Sequence, residues 1–161
     1  MHESLREVKR FWPFINVKTE RTAGLLLCGA DVGGSYEFHA KIIVPDKARP
    51  PSAGLVFGYV NANRRYTVGI DYARSVVYHG IEEKPMDVKG GETLTVRLRG
   101  NKYDVLVNGH PIFSDCRYVL ADIPSKELCV GLMAHAPKTG TGAAKFADVQ
   151  IRRLDPPSKT K

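Results

Sequence analysis

Apolar and polar residues alternate with a period of two along most of the chain from residue 24 onward. The segment SYEFHAKIIV (35–44) shows this most clearly, because its aromatic and aliphatic side chains fall on one side and Glu37, His39 and Lys41 on the other. Similar runs recur at 52–60, 65–72, 75–80, 93–100, 128–136 and 145–154, separated by turn-type sequences. About ten short strands without intervening helices predict an all-β fold, an antiparallel two-sheet jelly-roll β-sandwich.

The stretch YDVLVNGHPIF (103–113) contains the strongest turn signal in the chain. Asn108 and Gly109 separate two alternating runs, and both tolerate the positive φ that a type I′ turn requires at its central positions. The sequence RGNKY (99–103) supplies a similar reversal just upstream. We therefore expect residues 93–114 to form three consecutive antiparallel strands, and we interpret Asn108-Gly109 as a turn rather than a ligand contact.

The patterning divides the chain into one domain and two flanking segments. Residues 23–154 carry the strand pattern and are expected to form the sandwich. Residues 1–22 are expected to be an N-terminal extension, partly helical or packed on the sandwich, because ESLREVKRF (3–11) has a short helical period that Ser4 could cap. Residues 155–161, DPPSKTK, have the composition of a basic tail or linker.

The net charge of +7 in 161 residues suggests nucleic acid, but its location argues against that partner. Residues 1–22 carry a net +2 and residues 152–161 a net +3, which leaves only +2 for the 129 residues between them. No apolar run approaches the roughly 20 residues of a membrane span, so no membrane association is predicted. The chain shows no secretion signal, so its localisation stays open: we expect a cytoplasmic protein if the chain is complete, or a segment of a longer one.

Residue types that hold metals or act as nucleophiles are present but scattered. Cys28, Cys116 and Cys129 are widely spaced and form no C-x-x-C pair, so we expect buried, unreactive thiols. The five histidines show neither H-x-H nor H-E-x-x-H spacing. No cofactor is predicted from these patterns.

The order of the later elements carries a resemblance to known families. ETLTVRLRGNKYDVLVNGHPIF, then LCVGLMAH, then KFADVQIRRL, resembles the second half of a concanavalin A-like jelly roll, closest to laminin-G-like modules and bacterial 3-keto-disaccharide hydrolase-like domains. The matching positions are Val107-Asn108-Gly109, Gly131-Leu132 and Phe146 to Ile151, and the similarity covers roughly residues 35–154. The resemblance implies the sandwich fold and a carbohydrate-related function.

The departures from those families bear on activity. Ser52-Ala53-Gly54-Leu55 stands where the hydrolase-like domains carry Asn-Ser-Gly-(Ile/Leu), and the Glu-x-Asp-x-x-Glu motif of glucanase relatives is absent. Calcium is suggested by the fold family, but no cluster of Asp and Asn residues forms a recognisable oxygen cage. Glu37 and Asp71 lie inside predicted strands and would act as a hydrolytic pair only if they faced a shared surface.

The remaining polar candidates are predicted to line one outer sheet face. His39, Lys41, Arg97 and Arg99 alternate outward on two strands, and Tyr66, or alternatively Tyr78, is expected to add an aromatic ring. The sequence therefore favours a non-catalytic module that binds a carbohydrate or a protein partner through this face or the rim loops. The alternative is a sugar-active hydrolase of the 3-keto-disaccharide hydrolase-like or glucanase type.

Overall fold

The computed structural model describes residues 9–19, 23–30, 35–61, 63–119, 129–135 and 142–154, which form two six-stranded antiparallel sheets. Sheet A contains, in spatial order, β1 (Lys9–Thr19), β12 (Gly142–Arg153), β3 (Tyr36–Ile43), β8 (Thr93–Arg99), β9 (Lys102–Val107) and β10 (His110–Arg117). Sheet B contains β2 (Ala23–Ala30), β11 (Cys129–His135), β4 (Ser52–Asn61), β5 (Arg64–Asp71), β6 (Val76–His79) and β7 (Glu82–Pro85). The predicted all-β sandwich is confirmed.

The hydrophobic core lies between the two sheets and is built from the alternating positions. Strand β3 buries every second side chain completely and leaves the intervening ones partly exposed, as the pattern in SYEFHAKIIV predicts. Sheet B contributes Leu55, Phe57, Val68 and Ile70, which are also fully buried. Burying one such side chain contributes about 1.5–3 kcal/mol relative to exposure, so the stacking of the two inner faces is the main stabilising interaction.

The three predicted strands β8, β9 and β10 are present, and the turn between β9 and β10 has the expected geometry. Asn108 and Gly109 have φ values of 51° and 80°, and Val107 pairs with His110 across the turn. Asn108 has a second structural role, because its Oδ1 accepts a hydrogen bond from the Thr93 amide (2.9 Å) and its own amide donates to the Thr93 carbonyl (2.8 Å). The interpretation of Asn108-Gly109 as a turn is confirmed.

Residues 9–19 were expected to lie in an N-terminal extension, partly helical or packed on the sandwich, and the structure shows a strand in place of the helical alternative. They form β1, which pairs with β12 from Lys9↔Arg152 to Thr19↔Gly142 at the edge of sheet A. The segment is rich in aromatic and β-branched residues that favour strands, and Pro13 would break a helix but is tolerated in an edge strand.

Two further expectations concern the chain ends. The start of the expected helix, in residues 1–8, and the expected basic tail, 155–161, lie outside the described residues, so the division into sandwich and tail stays a prediction. The part of the chain that the structure describes contains no helix with the length and hydropathy of a transmembrane span.

Replacing Gly109 by Val should destabilise the domain by about 1–3 kcal/mol, because a β-branched residue does not easily hold positive φ. A Cβ at this position meets nothing within 4 Å, so the loss of stability would come from backbone strain and not from steric overlap. The free energy of unfolding, measured by urea denaturation, tests this. His110→Val is the matched control, since it places the same side chain at the next exposed position, which has no positive φ. Equal stability of the two variants would show that the turn imposes no strain.

Candidate functional site

The outer face of sheet B carries a polar groove, which we call the sheet B groove. Strand β5 points Val68 and Ile70 into the core, so alternation directs Thr67 and Asp71 outward. Neighbouring strands bring further polar groups beside them in register, because Ser52 of β4 pairs with Asp71. The groove has a volume of about 460 Å³, and its lining includes Ser52, Arg65, Thr67, Asp71, Arg74, Tyr78, Ile81, Glu83, Met133 and His135. This size lies within the range of small-ligand sites, about 300–1,000 Å³.

Tyr78 provides the aromatic surface of the groove. It pairs with Gly69 across β5 and β6, and a Cβ on Gly69 would lie only 2.6 Å from the Tyr78 Cζ. The glycine therefore lets the phenol ring lie over the β5 backbone. The Tyr78 hydroxyl is 3.1 Å from Ser52 Oγ, and burial raises the pKa of Tyr78 to about 12, so the hydroxyl stays neutral.

Arg74 and Glu83 form a fixed ion pair at the groove. The Arg74 guanidinium donates to both carboxylate oxygens of Glu83, at 2.6 and 2.8 Å. The hydrogen bonds and charge of Arg74 lower the pKa of Glu83, so this carboxyl is ionised near neutral pH. Such bidentate pairs hold planar donors and acceptors in one orientation.

Asp71 is tied to the same turn. Its Oδ1 accepts hydrogen bonds from the amides of Ala73 (3.1 Å) and Arg74 (3.2 Å), and its Oδ2 lies 3.8 Å from Arg74 Nη1. Arg65 is exposed and makes no ion pair with any residue that the structure describes. The described lining carries two arginines and two carboxylates, and the formal charges of these four groups cancel.

The predicted residues His39, Lys41, Arg97 and Arg99 lie together on the outer face of sheet A. Strands β3 and β8 carry these residues side by side, and their register pairs Glu37 with Arg97, His39 with Thr95 and Lys41 with Thr93. Arg97 Nε donates to Glu37 Oε2 at 3.0 Å, and Arg152 lies 3.5 Å from the other oxygen of the same carboxylate.

The electrostatics of this face are set by burial and by those ion pairs. Burial alone would raise the pKa of Glu37, but the hydrogen bond from Arg97 and the nearby charges of Arg97 and Arg152 hold it below its usual value. Burial lowers the pKa of His39, so its imidazole is neutral near pH 7. Part of the polarity of this face is therefore already satisfied within the protein.

Tyr66 does not belong to that face. It lies in sheet B, and its ring packs in the interior against Phe57, at 5.4 Å between centroids, and Tyr118, at 5.0 Å. Its hydroxyl accepts a hydrogen bond from the Val119 amide at 2.9 Å. The expectation of a shared surface with Arg97 was wrong because β5 belongs to the opposite sheet, and strand pairing is not readable from alternation. Tyr78, the alternative ring, also lies in sheet B, but it faces outward.

The structure separates the carboxylates considered for hydrolysis. Glu37 lies on the outer face of sheet A and Asp71 on the outer face of sheet B, so the sandwich stands between them. They do not form a catalytic pair. Sequence reasoning did not select the groove residues Ser52, Arg65 and Glu83. The only sequence feature that indicates them is their outward position in a strand, which is a weak signal.

A second polar cluster links β6 of sheet B to β9 of sheet A. The His79 Nδ1 lies 3.0 Å from the Tyr103 hydroxyl, and its Nε2 lies 3.0 Å from Glu82 Oε2 and 3.9 Å from Cys116 Sγ. Burial raises the pKa of Cys116 to about 11, which opposes thiolate formation. Among the described residues no group of three or more His, Cys, Asp or Glu side chains is arranged to hold a metal ion. We interpret this cluster as structural.

Comparisons with known proteins give structural matches only. No protein-family model and no curated protein matches the chain. The carbohydrate binding module CBM66 from Bacillus subtilis is similar with a TM-score of 0.64 at 15% identity, over 89% of this chain and 97% of that one. A fructosyltransferase from A. japonicus is similar with a TM-score of 0.62 at 11% identity, over 95% of this chain but only 28% of the enzyme.

A third solved structure is Rv0315 of Mycobacterium tuberculosis, described as an immunostimulatory antigen and pseudo β-1,3-glucanase. Its TM-score is 0.58 at 13% identity, over 88% of this chain and 75% of that one. At identities this low, the structural similarity establishes a shared β-sandwich fold and nothing about function. The function has to be argued from the site.

Replacing Arg74 by Gln should raise the pKa of Glu83 toward its ordinary value, because the positive charge and both hydrogen bonds that stabilise the carboxylate are lost. A pH titration of the Glu83 carboxyl ¹³C resonance measures this. Arg65→Gln is the control, since Arg65 makes no hydrogen bond to Glu83 and its removal should leave the titration almost unchanged. An unchanged Glu83 pKa in the Arg74 variant would contradict the ion pair.

Proposed function

We propose that this domain is a non-catalytic carbohydrate-binding module that holds its ligand in the sheet B groove. The observation that carries the proposal is the preformed combination of one aromatic ring, Tyr78, with the fixed Arg74–Glu83 pair in a single groove. A sugar presents hydroxyls that both donate and accept hydrogen bonds and an apolar ring face that packs on an aromatic side chain. Planar charged groups in fixed geometry match the first feature, and a phenol ring matches the second.

The charge of the groove favours a neutral ligand at this site. The described lining balances two arginines with two carboxylates, so no long-range attraction selects an anion or a cation. Arg65 and His135 add polar groups that are not bound in ion pairs to any described residue, and Ile81, which is 99% exposed, adds an apolar contact at the rim. Similarity in fold to a protein named as a carbohydrate binding module supports the same ligand class.

A protein partner is less well supported. Protein interfaces depend on large apolar or aromatic anchors that become buried on binding. Side-chain exposure is described for residues 35–61, 63–119, 129–135 and 144–154, and in this part of the chain the only strongly exposed large hydrophobic side chains are Ile81 and Val119. This part of the surface thus offers few such anchors, whereas the groove offers many hydrogen-bonding groups.

The hydrolase alternative rests on Asp71 and Glu83, the two carboxylates in the groove. Glycoside hydrolysis requires one carboxyl to be protonated as general acid, and enzymes achieve this with a raised pKa. Arg74 lowers the pKa of Glu83, and Asp71 Oδ1 is occupied by two backbone amides. Glu83 is therefore held ionised and Asp71 is engaged by its own turn, which favours binding over catalysis.

Arg65→Ala and Tyr78→Ala should each weaken binding to a neutral polysaccharide by about tenfold, the effect of losing one charged hydrogen bond or one ring contact worth roughly 1.4 kcal/mol. Affinity electrophoresis on a panel of neutral polysaccharides identifies the ligand and measures the loss. Arg65 is exposed and unpaired among the described residues, so its variant should keep the melting temperature of the parent protein.

The double variant His39→Ala/Arg97→Ala is the matched control on the outer face of sheet A, where the sequence placed the site. It should retain polysaccharide binding. Loss of binding in this double variant, with binding retained in Arg65→Ala, would move the site to sheet A. Release of reducing sugar by the unmutated protein on the same panel would replace the binding module by a hydrolase.

A further inference from the structure

A second concave site lies where the loop between β3 and β4 meets the loop between β7 and β8. One cavity of about 300 Å³ is lined by Val44, Lys47, Pro50, Tyr72, Val88 and Lys89. An adjoining cavity of about 340 Å³ shares Val44, Lys47 and Lys89 with it and adds Lys41. We call the joint cavity the lysine pocket. It differs from the sheet B groove in being lined by lysines and by mainly apolar residues.

The charge of the lysine pocket is only partly balanced, by the Glu92 carboxylate behind its wall. No carboxylate is among its described lining residues, and Lys41, Lys47 and Lys89 form no ion pair with any residue the structure describes. The nearby Asp46 accepts a hydrogen bond from the Ala48 amide within its own loop, at 2.9 Å. Three like charges around one concavity repel one another, and a bound anion would relieve that repulsion.

The loop that carries Lys89 is held in place by a buried carboxylate. Glu92 accepts hydrogen bonds from the Lys89 and Gly90 amides and from the Tyr72 hydroxyl, each at 2.9 Å. Two backbone hydrogen bonds also join this loop to β3: the Ile42 amide donates to the Glu92 carbonyl, and the Gly91 amide donates to the Ile42 carbonyl. Glu92 is thus consumed in fixing the loop on β3, and the pocket is organised before any ligand arrives.

We propose that the lysine pocket binds a compact anionic group, a carboxylate or a sulfate ester, on an acidic glycan. The three ammonium groups supply charge-assisted hydrogen bonds to the anion, and Val44, Pro50 and Val88 contact the apolar side of the ring that carries it. The pocket therefore adds an acidic-ligand site to the neutral groove. The choice of a glycan as carrier rests on the proposed function, whereas the anion specificity rests on the lysine pocket alone.

The test compares Lys47→Gln/Lys89→Gln with a control that removes the same charge elsewhere. Both lysines are exposed, so the substitutions should not disturb folding. The control is Lys102→Gln/Arg117→Gln, an exposed cross-strand pair between β9 and β10. This pair lies far from the lysine pocket, because Lys102 is beside Arg99 at one end of β8 and Lys41 is beside Thr93 at the other end. The probes are dextran sulfate, polygalacturonate and unmodified dextran, measured by isothermal titration calorimetry at one fixed salt concentration.

The lysine-pocket variant should bind at least one of the two acidic polymers about tenfold more weakly than the parent, because two charge contacts with the anion are lost. The control variant should lose less than about twofold, since it changes only the net charge. Loss for dextran sulfate alone identifies a sulfate ester, and loss for polygalacturonate alone identifies a carboxylate. Equal losses in the two variants, or no loss in either, would overturn the inference.

Two further measurements separate this inference from the proposed function. Neutral polysaccharide binding tests the groove and should be unchanged in Lys47→Gln/Lys89→Gln. If neutral binding is absent in the parent while acidic binding depends on Lys47 and Lys89, the groove proposal fails and the anion site stands. Tighter binding of a duplex DNA than of both acidic polysaccharides, with the same dependence on Lys47 and Lys89, would overturn the glycan as carrier.

Discussion

The burial of one face of each sheet against the other is the constraint on which the remaining structure depends. Each strand that contributes to the core, such as β3 or β5, must give its apolar side chains to the interior, so its polar side chains appear on an outer face in fixed register. A site built on such a face is as rigid as the core beneath it. Both the sheet B groove and the outer face of sheet A are products of this single requirement.

Glycine and aromatic residues turn one of these flat faces into a groove. Gly69 leaves room for the Tyr78 ring above β5, and Gly54 on the neighbouring strand approaches the Val68 carbonyl so closely that no side chain would fit there. Removing side chains from the centre of an outer face creates a concavity, and the turn after β5 then places Arg74 at its edge. The polarity of the groove thus comes from outward-facing strand residues such as Ser52, Thr67 and Glu83, together with Arg74 from the turn.

The two proposed sites show how one small sandwich can present two sites of different charge, one without net charge and one positive. In the groove, Arg74 is neutralised by Glu83, and the surface remains polar without net charge. In the lysine pocket, the nearest buried carboxylate, Glu92, is used by backbone amides and a tyrosine hydroxyl, and the lysines are left to the solvent. The charges of the two sites differ because Glu83 pairs with an arginine, whereas Glu92 accepts hydrogen bonds from neutral groups. This difference in charge is the physical reason for expecting different ligands at the two sites.

The sequence by itself determined most strands from β3 onward, the Asn108-Gly109 turn and the inward or outward direction of the side chains in those strands, because these follow from local alternation and backbone preference. It did not predict β1. It also grouped His39 with Arg97 correctly, since both are outward positions of strands that pair. It could not place Tyr66 inside, separate Glu37 from Asp71, or assemble Ser52, Tyr78 and Glu83 into a groove. Those outcomes depend on which strands pair and which sheet each joins, and only long-range packing of the two sheets decides that.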